Sequence, residues 1–206
     1  MSLRYNGGET VLHAAAYENN SAEVLLAMKS KAVLDKNPKN NEGTTPLHFA
    51  TSRGHFLICE MIIDHIEDKN PKGNLGWTPL HHAAEGGHLE ICELILGNVQ
   101  DKNPSANTGI TPLHVAAQNG HLAVVRLIIE NIVILNPNDS KGAKNNPKDQ
   151  DGFTPLHLAA KKGYVGIFKL IIQNVEEKNP KDNHGKTPID YADGHKNILR
   201  IFRKFS

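Results

Sequence analysis

The 206-residue chain is poor in rings: aromatic residues make up 5% of it, with a single tryptophan, against 39% hydrophobic residues in all. A core with so few rings must be built from aliphatic side chains and alanine, which suits thin, repeated layers. Charge of one sign is missing as well. The 23 basic and 22 acidic residues leave a net charge of +1, so no global field draws the chain to nucleic acid or to an anionic membrane. No apolar run approaches the roughly 18 to 20 residues needed to cross a bilayer, and no basic segment followed by an apolar stretch opens the chain. Two cysteines, Cys59 and Cys92, are too few for a disulfide framework. Together these absences lead us to expect an intracellular, cytoplasmic chain. The GxxxxGK, GxGxxG, GxSxG and HExxH patterns are missing too, and no serine or cysteine nucleophile has an independent base beside it. No catalysis, no cofactor and no metal site are expected.

What the sequence does have is a period. Thr-Pro-Leu-His begins at Thr45, Thr78, Thr111 and Thr154, with Thr-Val-Leu-His at Thr10 and Thr-Pro-Ile-Asp at Thr187; the intervals are 35, 33, 33, 43 and 33. Threonine suits an N-cap and proline the first helical position, so a helix starts at each motif. Gly54, Gly87, Gly120 and Gly163 stop it, with Asn20 expected in that place in the first unit. A second amphipathic segment follows, as in Leu89, Ile91, Cys92, Leu94 and Ile95. Asn98 and Asn174 are expected to end it in the left-handed conformation. Asp68-Lys69-Asn70-Pro71 and Asp101-Lys102-Asn103-Pro104, followed by Gly76 and Gly109, then read as turns and extended loop.

A finger, then Gly-x-Thr-Pro-Leu-His, Ala-Ala as at Ala83-Ala84 and Ala116-Ala117, Gly-His, and an aliphatic second helix resembles the ankyrin repeat family over nearly the whole chain. The resemblance implies an all-α repeat solenoid, an array of helix-turn-helix units with projecting β-hairpin-like fingers. It divides a single domain, 1–206, into repeats at 5–39, 40–72, 73–105, 106–148, 149–181 and 182–206. The fourth carries a ten-residue finger insertion and the sixth is a C-terminal cap. Where the family's finger usually has Gly-Ala-Asp-Val-Asn, this chain has Val-Glu-Asp-Lys-Asn-Pro or close variants, and the proline lacks an amide donor. A continuous strand ladder between fingers is therefore not expected.

The twelve histidines are mostly absorbed by the period. His13, His48, His81, His114 and His157 hold the motif position, where the resemblance implies hydrogen bonds to the neighbouring repeat. His55, His88 and His121 open the second helix. His65, His82, His184 and His195 have no assigned role and no metal-ligand spacing. Cys59 and Cys92, 33 apart, occupy one position of adjacent repeats and read as small buried hydrophobes. The finger lysines Lys69, Lys72, Lys102, Lys178 and Lys181 read as a solvated, charge-mixed edge.

In the ankyrin family the residue before the capping threonine, the finger tip and the exposed end of the first helix line a concave face. Carried onto this chain, that face comprises Thr44, Leu75, Trp77, Thr108, Ile110, Asp151, Phe153 and Lys186 from the fingers. Arg53, His82, Glu85, Gln118, Asn119, Lys161 and Lys162 come from the helices. Trp77, Ile110 and Phe153 are expected to be solvent-exposed, either as anchors for a partner or as shields of the adjacent finger. The expected function is a monomeric protein-protein interaction module, taking a protein or peptide across repeats two to five. The alternatives are nucleic-acid or nucleotide sensing, with Trp77 and Phe153 as stacking platforms near Lys161, Lys162 and Lys186, or a spacer in a larger chain. The insertion, Ile132 to Pro147, is read either as a recognition loop or as a loop whose length is merely tolerated.

Overall fold

The computed structural model describes residues 7–135 and 146–205. They form eleven α-helices and a 3-10 turn, and no strand is found among the described residues. The chain divides into two compact units, Met1–Gln100 and Asp101–Ser206. The first holds α1 (Val11–Tyr17), α2 (Ser21–Lys29), α3 (Pro46–Arg53), α4 (Phe56–Ile63), α5 (Pro79–Gly86) and α6 (Leu89–Asn98). The second holds α7 (Pro112–Asn119), α8 (Leu122–Leu135), α9 (Pro155–Lys162), α10 (Val165–Gln173), the 3-10 turn Pro188–Tyr191 and α11 (Lys196–Phe205). In both units, successive first helices pack side by side, α3 between α1 and α5 and α7 against α9.

Every motif uses one device. The Thr45 amide donates to Nδ1 of His48 at 3.1 Å, and Thr10, Thr78, Thr111 and Thr154 repeat the contact with their own histidines. A backbone N–H can only donate, so Nδ1 must accept and the ring proton sits on Nε2. Nε2 then donates to a carbonyl of the following repeat: His48 to Trp77 at 3.2 Å, His13 to Thr44 at 3.1 Å, His114 to Phe153 at 3.0 Å and His157 to Lys186 at 3.2 Å. Burial holds these rings neutral, driving His48 from the ordinary 6.5 to about 3 and lowering His13, His114 and His157. Asp190 stands at this position in the sixth repeat and accepts from the Thr187 amide at 2.7 Å.

The first helices end at Gly54, Gly87, Gly120 and Gly163 in the left-handed region. Gly54, at φ +74°, must be glycine twice over, because a Cβ there would lie 2.6 Å from the His88 ring. At Gly163 the ring is that of His195, at 2.5 Å, which gives that histidine a role. In the first repeat the left-handed residue is Asn19, at φ 60°. Asn20, expected there, instead caps α2, accepting from the Glu23 amide. Asn98 and Asn174 also differ from expectation. Neither has a positive φ, and each turns its side chain back to the carbonyl four residues earlier, on Leu94 and Leu170, at 2.8 Å.

The core is aliphatic. Leu47, Leu80, Leu113 and Leu156 of the motifs are fully buried, as are Ile62, Ile95, Ile128 and Ile171 of the second helices. Each such side chain contributes about 1.5 to 3 kcal/mol by leaving water. Cys59 and Cys92 are buried free thiols, and burial pushes both up to about 12, so neither is a nucleophile.

Two of the finger lysines, Lys69 and Lys178, differ from the expected solvated edge, whereas Lys72 and Lys181 are exposed. Lys36 Nζ donates to the Ala27 and Ser30 carbonyls, both at 2.6 Å, closing the end of α2. Lys69 does the same to Ile63 and Ile66, and Lys178 to Ile172 and Val175. The next residue faces the other way: the Asn37, Asn70 and Asn103 carboxamides accept from the Leu47, Leu80 and Leu113 amides at 3.0 Å. The Asp-Lys-Asn-Pro phrase thus ties the end of one helix pair to the start of the next. Adjacent fingers share single backbone bonds, Asn74 to Glu42 at 3.0 Å and Gln150 to Thr108 at 2.8 Å, which is less than a strand ladder. In the fourth repeat the second helix continues to Leu135, so the apolar start of the expected finger insertion is helix instead. Residues 136–145 of the insertion lie outside the described residues, while Asn146, near its end, accepts from the Leu156 amide at 3.2 Å.

Candidate functional site

The His-to-carbonyl bond decides where the residue before each threonine goes. The Trp77 carbonyl is held by His48, and its indole falls onto its own repeat, with ring centroids 5.4 Å from His81 and 5.2 Å from His82. Trp77 is consequently half-buried, as are Ile110 and Phe153. The expectation of a fully exposed row is corrected: a ring anchored by its carbonyl lies down across the first helix instead of standing clear of it.

In the first unit the indole forms one wall of an open depression of about 520 Å³, lined also by Glu42, Thr44, His48, Leu75 and His82. Leu75, at the finger tip, is 75% exposed. His82 Nδ1 lies 3.8 Å from a carboxylate oxygen of Glu85, while burial lowers its pKa. The lip thus joins the apolar Leu75 and Trp77 to carboxylates on both sides, Glu42 on the finger and Glu85 on the helix. Arg53 lies elsewhere, its guanidinium 4.0 Å from the centroid of the Tyr17 ring.

In the second unit Phe153 takes the place of Trp77. Its carbonyl is held by His114, and its ring lies 5.5 Å from His157 and 5.1 Å from Tyr191. The Tyr191 hydroxyl donates to Asp182 at 2.6 Å, which raises the phenol to about 12. Burial works against ionisation of Asp182, but bonds from Tyr191 and from the Lys186 and His184 amides outweigh it and hold the carboxyl below its usual range. Lys161 stands 5.7 Å from the Phe153 centroid and 5.8 Å from that of Tyr191, and Lys186 stands 5.5 Å from Tyr191.

Of the fifteen residues expected on the concave face, Thr44, Leu75, Trp77 and His82 meet in the first unit, with Glu85 at the rim. Phe153, Lys161 and Lys186 meet in the second. Gln118, Asp151 and Lys162 are exposed outside these clusters. Asn119 turns back to the Val115 carbonyl at 3.0 Å, and the Thr108 hydroxyl is buried without a hydrogen-bond partner among the described residues. Sequence reasoning missed Tyr191, although it occupies the position after the motif that holds His82 in the third repeat. It also missed a polarity hidden by the net charge: Met1–Gln100 has 8 basic and 12 acidic residues, Asp101–Ser206 has 15 and 10.

No group of His, Cys, Asp and Glu among the described residues is arranged to hold a metal ion. None of the described helices is long and apolar enough to cross a membrane.

Helix pairs stacked through a threonine-histidine bridge define a class of repeat protein, and comparison with known families agrees. Models described as "Ankyrin repeats (3 copies)" match residues 2–73 and 66–141, and one described as "Ankyrin repeats (many copies)" matches 135–192. The chain belongs to the ankyrin repeat family, whose members are generally protein-binding modules without catalytic activity. It is similar to an ankyrin repeat-containing protein, BDA1, of Arabidopsis thaliana, 44% identical over 54 residues. That match covers 26% of this chain and 12% of the relative.

Proposed function

We propose that this chain is a non-catalytic, cofactor-free protein-binding module whose first unit takes an apolar or aromatic side chain of a partner polypeptide against Trp77. The observation that carries this reading is the open depression in which a half-buried indole and a largely exposed leucine, Leu75, face the same space. An indole already fixed by packing loses little entropy when a partner covers it, which is the property of an interface anchor. Stacking of nucleotide bases goes with cations that hold the phosphates. None of the lining residues is a lysine or arginine, and Glu42 is among them.

Trp77 is the only tryptophan, so its fluorescence reports on the depression alone. Peptides selected from a displayed library against the full chain should shift the Trp77 emission on binding. They should bind Leu75→Ala and Trp77→Ala at least about tenfold more weakly, as expected for an anchor worth more than 1 kcal/mol. Peptides that leave the emission unchanged and bind both variants as tightly as the parent would overturn this reading.

A further inference from the structure

The cluster around Tyr191 differs in chemistry from the Trp77 depression. We propose that Lys161 and Lys186, held over the paired rings of Phe153 and Tyr191, form a second docking point that takes a carboxylate side chain of an acidic polypeptide segment. The proposal takes the protein-binding reading as given but rests on other residues, in the other unit.

Three observations lead to it. The first is that neither ammonium group lies within ion-pair distance of a carboxylate among the described residues, although Lys186 acts on Asp190 from further off. A helix C-terminus favours cations on its own account, which covers Lys161 in the last turn of α9. Lys186 lies on the sixth finger, outside any helix, and that explanation does not reach it.

The second is that the platform is fixed before any ligand arrives. Tyr191 is tied to Asp182 by its hydroxyl, the Lys186 amide donates to the same carboxylate at 2.9 Å, and the Lys186 carbonyl accepts from His157. The rings therefore hold both ammonium groups near one surface, where a carboxylate meets two cations at once.

The third is the choice of anion. A lysine binds phosphate only as a point charge, and selectivity for phosphate comes from guanidinium forks or free backbone amides in a nest. The amides of His184, Gly185 and Lys186 are already bonded to Asp182. Asp182 and Asp190 both have carboxyls held below their usual range, and so both remain charged beside the lysines. Carboxylates spaced by apolar side chains fit this mixed field and the ring faces, whereas an unbroken row of phosphates would meet Asp182 and Asp190 as well as the lysines.

The test uses the full chain and three fluorescein-labelled probes in low salt: a peptide alternating leucine and glutamate, the same peptide with glutamine for glutamate, and a single strand of deoxythymidines. The glutamate peptide should bind with a Kd below about 1 mM. The glutamine peptide should bind at least about tenfold more weakly. The Lys161→Gln, Lys186→Gln double variant should lose the same factor with an unchanged melting temperature, while Lys161→Arg, Lys186→Arg retains binding and controls for folding. Trp77→Ala should bind this probe as the parent does, which separates a failure here from a failure of the first-unit site. Equal binding of the two peptides, undiminished binding by the glutamine variant, or tighter binding of the deoxythymidine strand would each overturn the assignment.

Discussion

Trp77 and Phe153 occupy one position of the repeat and have opposite surroundings. In each case a motif histidine of the previous repeat holds the carbonyl, and the ring lies on the histidine of its own repeat, at 5.4 and 5.5 Å. The second neighbour differs. Trp77 leans on His82 beside Glu85 and opens into a depression, whereas Phe153 leans on Tyr191 beneath Lys161. The lesson is a division of labour. Buried histidines fix where the ring goes, and the residues outside the hydrogen-bonded frame set the sign of the surface around it.

The frame can be broken most directly at its histidines. His48→Ala leaves the Thr45 amide without its acceptor and takes from the Trp77 carbonyl one of two donors, the Gly73 amide remaining at 2.8 Å; His114→Ala does the same to Thr111 and to Phe153, whose carbonyl keeps the Asp149 amide at 2.9 Å. Each should lower the unfolding free energy by about 2 to 4 kcal/mol, the penalty for one unsatisfied buried amide, a lost bond between repeats and lost packing. Urea denaturation measures it. If the two losses differ by more than about 2 kcal/mol, the notion of one frame under both rings fails.

Acid should act on the same histidines unequally. Their folded pKa values lie below 6.5, so the unfolded chain takes up protons first. Stability is fully present above about pH 6.5 and drains as pH falls toward the folded values. For His48, with a folded value of about 3, the loss by pH 5 is about 2 kcal/mol. Burial lowers both rings, but His82 pushes His48 further down while Asp182 pulls His157 back. Amide hydrogen exchange at pH 5 should therefore show α3 and α5 opening more than α9. Equal protection would remove this difference between the regions.

The two rings should also cost alike. Trp77→Ala and Phe153→Ala should each lose about 1 to 2 kcal/mol of stability, below the 3 to 5 kcal/mol of a fully buried aromatic, since both are half-buried. Circular dichroism during denaturation measures both. A core-sized loss at Trp77 alone would make it a packing element of its repeat and remove the anchor from the first unit.

Much of this frame was legible in the sequence. Thr-Pro starts, glycine stops and the alternation of two helices are local chemistry, and the period multiplies each signal. The burial of Cys59 and Cys92 followed from their shared register. What was not legible depends on where the chain returns after leaving a helix. Lys69 next to Asp68 looks like an exposed charged loop until the fold brings its ammonium back to the carbonyls of Ile63 and Ile66. Trp77 looked exposed because nothing in the order of residues shows that its carbonyl would be captured by His48. Tyr191 was missed because the sixth motif departs from the pattern, with Asp190 in place of histidine.

The smallest effects test the surface alone. Glu85 is about half exposed and its contact with His82 is 3.8 Å long, while Lys161 is exposed, its ammonium 5.7 and 5.8 Å from the Phe153 and Tyr191 centroids. Exchanging their charges, Glu85→Lys in one variant and Lys161→Glu in another, should change stability by less than about 0.5 kcal/mol, because exposed ion pairs and cations contribute little to folding. Binding should respond where folding does not. Lys161→Glu should weaken an acidic peptide about tenfold in low salt, whereas Glu85→Lys, in the unit that does not hold that site, should change it by less than about threefold. Both differences should vanish near 1 M salt, where charges are screened within about 3 Å. Titration of the acidic peptide at two salt concentrations checks all of this at once. If Glu85→Lys altered the affinity as much as Lys161→Glu, the peptide would be sensing the net charge of the molecule, and the contrast between the two ring sites would carry no specificity.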